Sequence, residues 1–534
     1  MSRYPEETDV VIVGSGPTGA TYARIIAETR PGTSVVMLEA GPTVSAPPGA
    51  HVKNIADPDE RSQAQRRSAG PDADAETVAH PGEVKAGQLR ARPGTFLVGD
   101  GAAGDGDDGL PVAAQSCNVG GMAAHWTGAC PRPREGERVG FLPDLDALLH
   151  EAERLLGVTS QAFEDSPFGD LIVSRLAAEL DGGRAPEARV GPMPLAVHRR
   201  EDGALVWAGS DVVLGDVTRA DPGFRLVDES LVTRVLVEDG QAAGVEVTDR
   251  TSGTTHIIRA AHVVVAADAL RTPQLLWASG IRPTALGRYL NDQTQVVFAV
   301  RLRDVVDRAG EQSAQAEPGM GLSSTSGVTW VPYTDDEPFH GQIMQLDASP
   351  VPVAEDDPVL PGSVVGLGLF CAKDLSPEDR IDFSDERTDA FGLPAPTIRY
   401  RLSEKDHREL RRARERIVRW GRAIGEPLDD SPFTLPLGSS LHYQGTTRMG
   451  LEDDGSSVCR PDSELWDVPG VFVAGNGVIP TPTACNPTLT SVALAVRGAR
   501  EIARRLSGDA ERGRSQTWAR APLASLTEGG SHDS

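Results

Sequence analysis

The chain opens on an apolar run, Asp9-Val-Val-Ile-Val13, of the length of a buried strand. Gly14-Ser-Gly-Pro-Thr-Gly19 follows, then a helical pattern from Ala20 to about Thr29. A second apolar run, Ser34 to Leu38, ends in Glu39, so the first forty residues predict a βαβ unit. Alternating or continuous apolar runs predict further strands at Thr233–Val237, Gly244–Thr248, Ile257-Ile258, Val263–Ala267, 293–303, 364–371 and Val471–Gly475. Helical spacing predicts helices over 144–156, 403–424 and 488–507, with a polar tail over 509–534. Between them, 46–114 is rich in Pro, Gly, Ala, Asp and Arg and predicts a partly disordered insertion that serves as a lid. Its acidic run, Asp100 to Gly109, lacks EF-hand spacing, because Ser116 stands where the closing Glu would fall if Asp105 were first. That run reads as a solvated loop, and no metal site is predicted. The pattern is that of an α/β chain of more than one domain.

Composition narrows the partners. The 534 residues carry 52 basic and 77 acidic side chains, a formal charge of −25. Such a field repels nucleic acid and anionic lipid and is indifferent to a neutral ligand. Cysteines at 117, 130, 371, 459 and 485 are odd in number and form no Cys-x-x-Cys. They suggest reduced thiols in a cytoplasm. No run approaches the roughly 20 apolar residues of a membrane span, and the N-terminus has no signal-peptide layout.

Candidate chemistry begins at Gly14-x-Gly16-x-x-Gly19. The first glycine allows a tight turn, the second lets backbone approach a pyrophosphate, and the third lets helix and strand pack closely. The pyrophosphate then meets a helix N-terminus. Glu39, 20 residues past Gly19, is placed to accept from a ribose diol. This predicts a dinucleotide and does not separate NAD from FAD. The late strand Val471–Gly475, with Asn476 after it, returns the chain towards a cofactor, as flavoproteins do. Gly120-Gly121-Met122 lets backbone approach a flat ring, and His125-Trp126-Thr127 follows. His442 and Asn486 are each bounded by Gly or Pro and flank the late strand. An imidazole, with a free pKa of about 6.5, can take a hydroxyl proton at neutral pH, and an amide can orient that hydroxyl.

The segments Asp9–Gly19, Gly120–Thr127, Ala266–Leu276, Leu441–Gly450 and Ala484–Thr490 together resemble the glucose–methanol–choline (GMC) oxidoreductases. Within them the chain is most similar to pyranose 2-oxidases and bacterial glycoside 3-oxidases. Asp268 stands where a glycine is usual. The resemblance implies a Rossmann-like FAD-binding domain and a second, substrate-binding domain on a mainly antiparallel sheet. The first would comprise 1–45, 115–160, 222–292 and 438–508, and the second 161–221 and 293–437. It implies FAD held by Gly14, Gly16, Gly19, Glu39, Gly120, Gly121, Met122, His125, Trp126, Thr127, Val232, Gly475, Asn476, Pro487 and Thr488. Thr127 would lie near flavin N5 and O4. His125 matches the residue bonded to flavin in fungal members. Ala124 replaces the hydroxyl residue beside it, so covalent and non-covalent attachment both stay open. The resemblance further implies His442 as base and Asn486 as its partner, with Gln342 and Asp347, in a segment similar to the substrate loop, touching the sugar. The implied reaction takes a secondary hydroxyl of a sugar to a ketone, at C3 of a glycoside or C2 of a free pyranose. Oxygen would be the acceptor, with a quinone- or protein-linked dehydrogenase as the alternative. Oligomeric state stays open.

Overall fold

The computed structural model describes residues 3–70, 93–98, 109–166, 168–302, 327–346 and 362–519. Five short strands form a parallel sheet in the order Val471–Val473, His262–Val265, Val10–Val13, Val35–Leu38, Phe224–Val227. Apart from His262 the inner strands are apolar, because both faces are covered, as in parallel sheets generally. Helix Pro17–Thr29 packs against the sheet with Leu145–Leu156, Ser210–Ala220 and the C-terminal helix from Thr488. Three antiparallel strands, Ser230–Glu238, Gln241–Asp249 and Thr255–Arg259, bridge two of the parallel ones in sequence.

A second sheet is antiparallel and has seven strands among the described residues. Its centre is Thr294–Arg301, Val364–Cys371, Phe339–Leu346 and Val328–Val331. Helix Glu404–Ile424 covers it with Ala413, Ile417, Trp420 and Ile424, a stripe at spacings of three and four. Ser403 and Asp406 close a reciprocal capping box at its start.

One expectation needs correction, at the C-terminal helix, and two are filled in. The described part of the insertion is ordered locally: helix Pro58–Ser68 begins on Asp57, whose carboxylate accepts from the N–H groups of Asp59 and Glu60. Pro58 at the first helical position was a legible signal that the loop-like composition masked. The acidic run over 100–108 lies outside the described residues. The C-terminal helix does not stop near 507 but continues to Ala519, through Gly508 and Gly513, with no proline in the stretch to end it. Finally, Gln342 sits in the strand Phe339–Leu346 and not in a loop; Asp347 lies outside the described residues.

The departure at Asp268 has a backbone reason. Its φ is 68°, in the left-handed region that favours glycine. Aspartate tolerates this region better than most residues, and here its Oδ1 accepts from the N–H of Leu270 and Arg271. Asp268→Gly should therefore cost little, whereas Asp268→Val should cost roughly 1–3 kcal/mol. Urea denaturation of both variants checks this; equal midpoints would contradict it.

Candidate active site

One cavity of about 350 Å³ runs from the glycine turn to His442 and Asn486. At its near end, Gly14 has φ 101°, and a Cβ there would collide with the carbonyl of Ala266. A Cβ on Gly19 would collide with the carbonyl of Gly14. Gly16 differs: nothing lies within 4 Å of where its Cβ would stand, and it lines the cavity. It also starts helix Pro17–Thr29 without a side-chain cap. Glu39 is buried at 8% exposure, and its Oε2 accepts from the N–H and hydroxyl of Ser15 at 3.1 and 2.7 Å. Burial raises its pKa.

The middle of the cavity is lined by Gly121, Met122, His125, Trp126, Thr127, Val232, Gly475, Asn476 and Thr488. Gly120 stands behind this wall and donates its N–H to Ser15 Oγ at 2.9 Å. Gly19, Pro487 and Gln342 also lie outside the lining. His125 Nε2 contacts Asn118 Oδ1 at 3.3 Å, and its Nδ1 has no hydrogen-bond partner among the described residues. Burial pushes this imidazole down to about 4, so it is neutral at pH 7. A bare glycine turn at a helix start, a buried carboxylate beyond the next strand and a neutral histidine with an unused nitrogen fit a flavin dinucleotide.

At the far end, Asn486 Nδ2 lies 3.2 Å from His442 Nε2. The segments carrying the pair are braced by residues the motifs did not reveal. Glu137 Oε1 accepts from the N–H of Ala484 and of Cys485, both at 2.8 Å. Gln293 Nε2 donates to the carbonyls of Thr483 at 3.0 Å and Cys485 at 2.8 Å, while its Oε1 meets His442 Nδ1 at 2.8 Å. Asp292 accepts from the Ser440 hydroxyl and from the N–H of Gly438, and Ser440 Oγ accepts from the N–H of His442. Burial pushes Asp292 up to about 6 and Glu137 up to about 7. Leu441, beside the histidine, is held at φ 60°, uncommon for a bulky residue. Gln342 Nε2 donates to Asn486 Oδ1 at 2.5 Å. Gln342 thus reaches the site through Asn486. One signal for Gln293 was present: Asn291-Asp-Gln-Thr294 is a polar run that leads into an apolar strand, yet all four residues are buried.

Sequence profiles of the GMC oxidoreductases match residues 198–295 and 378–495. The chain is 68% identical over 506 residues to a C-glycoside 3-oxidase of Arthrobacter globiformis, covering 95% of this chain and 97% of the relative. It is 65% identical over 512 residues to a C-glycoside 3-oxidase of Microbacterium trichothecenolyticum, covering 95% and 98%. A pyranose 2-oxidase of Tricholoma matsutake is 33% identical over 542 residues, covering 93% of each. Among solved structures, pyridoxine 4-oxidase from Mesorbium loti superposes with a TM-score of 0.63 at 19% identity, covering 92% of this chain and 99% of that one, a likeness of fold. The chain belongs to the GMC oxidoreductase family and is an oxidoreductase acting on CH–OH groups.

Proposed function

We propose that this protein oxidises the C3 hydroxyl of a glycoside, C-glycosides included, to a ketone, with FAD as its cofactor and oxygen as the final acceptor. The observation that carries the reading is the His442–Asn486 pair at the end of a cavity whose other end is a dinucleotide turn. The two C-glycoside 3-oxidases at 68% and 65% identity support the choice of C3 over the C2 chemistry named for the pyranose 2-oxidase.

Bound FAD supplies a two-electron acceptor for the hydride of the carbinol carbon. His442 Nε2 would take the hydroxyl proton, and Asn486 would orient that hydroxyl towards it. Gln293 holds His442 from behind, and Gln342 pins the amide of Asn486. Glu137 keeps the Asn486 segment from drifting. Gly14, Gly16 and Glu39 would hold the dinucleotide, with Gly19 packed beneath the turn, and Gly121, Met122, His125, Trp126 and Thr127 would form the wall of the ring site. The cofactor domain is the discontinuous set 1–45, 115–160, 222–292 and 438–508. Five buried cysteines without a disulfide suit a reducing cytoplasm. No helix among the described residues is long and apolar enough to cross a membrane.

Anaerobic mixing with a C-glycoside tests the reading: the flavin bands should bleach. Bleaching by free glucose alone would favour C2 chemistry, and bleaching by neither would remove the sugar from the account. The role of His125 is read separately, by acid precipitation. Its ring is neutral and one nitrogen is unused, as a covalent link requires, so colour should stay in the pellet. Colour in the supernatant would leave His125 as packing alone.

A further inference from the structure

The tip of a hairpin from the second half of the chain stands in the wall of the cavity. The hairpin is the strand pair Arg380–Thr388 and Pro394–Arg399. Between the strands, Phe391 and Leu393 line the cavity. Asp389 shapes the tip: its Oδ1 accepts from the N–H of Phe391 at 2.9 Å and of Leu393 at 3.1 Å. Its Oδ2 reaches out of the hairpin and accepts from Arg271 and, at 2.9 Å, from Gln274 Nε2. Gln274 also donates to the carbonyl of Pro394 at 2.8 Å. Arg271 and Gln274 are three residues apart on helix Asp268–Ala278, so they are neighbours on one face.

Arg271 is held by three separate stretches of chain. Its Nε donates to Gln115 Oε1 at 2.9 Å, and Gln115 belongs to the short strand Ala114–Gln115. Its Nη1 donates to Gln274 Oε1 at 2.8 Å and to Asp389. Its guanidinium lies over the Phe391 ring, 4.8 Å from the centroid. The remaining nitrogen, Nη2, has no hydrogen-bond partner among the described residues.

Stability alone does not account for this arrangement. The Arg271 and Asp389 side chains are 18% and 14% exposed, and in such an ion pair desolvation offsets much of the attraction. The charge of the cavity does account for it. Arg271 is the only lysine or arginine among the described residues of the lining, which also carries the acids Glu39 and Asp268. A flavin dinucleotide brings a diphosphate, which carboxylates repel. A guanidinium engaged along one edge keeps N–H groups in a fixed fork that suits phosphate oxygens.

We infer that Arg271 is a cofactor contact that holds the diphosphate of the bound dinucleotide through Nη2, and that Asp389 is the positioning residue that fixes it there from the hairpin. This rests on the reading of FAD as the cofactor and adds a contact from outside the glycine turn. Cofactor retention then depends on a hairpin 118 residues further along the chain.

The test is flavin release from holoenzyme, followed by the rise of free-flavin fluorescence after dilution. The parent protein carries His125→Ala, so that no bond from that histidine can mask release. Adding Arg271→Gln should speed release by about tenfold or more, the scale of one lost charge-assisted hydrogen bond. Arg271→Lys keeps the charge without the fork and should fall between the two. Asp389→Asn puts an amide, which accepts at one end alone, where the carboxylate accepts at both. It should speed release about threefold or more, with circular dichroism like that of the parent. With His125 restored, the same substitutions should lower the flavin-to-protein ratio on purification. Release in Arg271→Gln within about twofold of the parent, or release in Arg271→Lys as fast as in Arg271→Gln, overturns the contact. Unchanged release in Asp389→Asn overturns the positioning role. If Arg271→Gln does not fold, Arg271→Lys and Asp389→Asn still decide. A wild-type protein without flavin absorbance would instead remove the cofactor reading itself, so the two failures are distinguishable.

Discussion

Flavin reduction by the glycoside should slow by roughly 10²–10⁴-fold in His442→Ala, the range for a lost general base. The variant should fold and keep its FAD, because His442 lies at the far end of the cavity from the glycine turn. Its segment is braced through main-chain groups and through Ser440 and Asp292, which the substitution leaves in place. Asn486→Ala should also slow reduction, through lost orientation of the hydroxyl. The double variant should fall well short of the product of the two losses, since both side chains act on one hydroxyl. Anaerobic stopped-flow mixing isolates this half of the cycle. Near wild-type reduction in His442→Ala would mean that another group takes the proton.

Gly16→Val should give a folded, colourless protein. The three glycines of the turn separate on this point. A side chain on Gly14 or Gly19 would strike backbone, so those substitutions should damage the fold itself. A Cβ on Gly16 meets nothing within 4 Å, and Gly16 lines the cavity. The valine would occupy the place the pyrophosphate needs. Circular dichroism like that of wild type, with flavin absorbance lost, is the expected pair of results. Full flavin content in Gly16→Val would show that the dinucleotide lies elsewhere.

What was legible in the sequence was local. The turn after the first strand, the acid ending the second and the apolar periods of the helices are each contained in a short window, and the parallel sheet follows from them. His442 and Asn486 were singled out because each lies in a short segment bounded by Gly or Pro that resembles a family motif, and the structure brings their side chains within 3.2 Å. The residues that brace them were not. Glu137 serves a segment 347 residues away, Gln293 serves a histidine 149 residues away, and Asp292 serves a serine 148 residues away. No periodicity encodes such distances. Asp268 shows the converse case. The departure from glycine was visible, but its tolerance became plain only from the left-handed backbone it occupies.

The central claim is the position oxidised, and the direct measurement is NMR of the product formed from a C-glycoside under oxygen, with hydrogen peroxide quantified alongside. The account predicts a 3-keto glycoside and one peroxide per ketone formed. A 2-keto product from free sugar with the glycoside untouched, or ketone formed without peroxide unless a quinone is added, would contradict it.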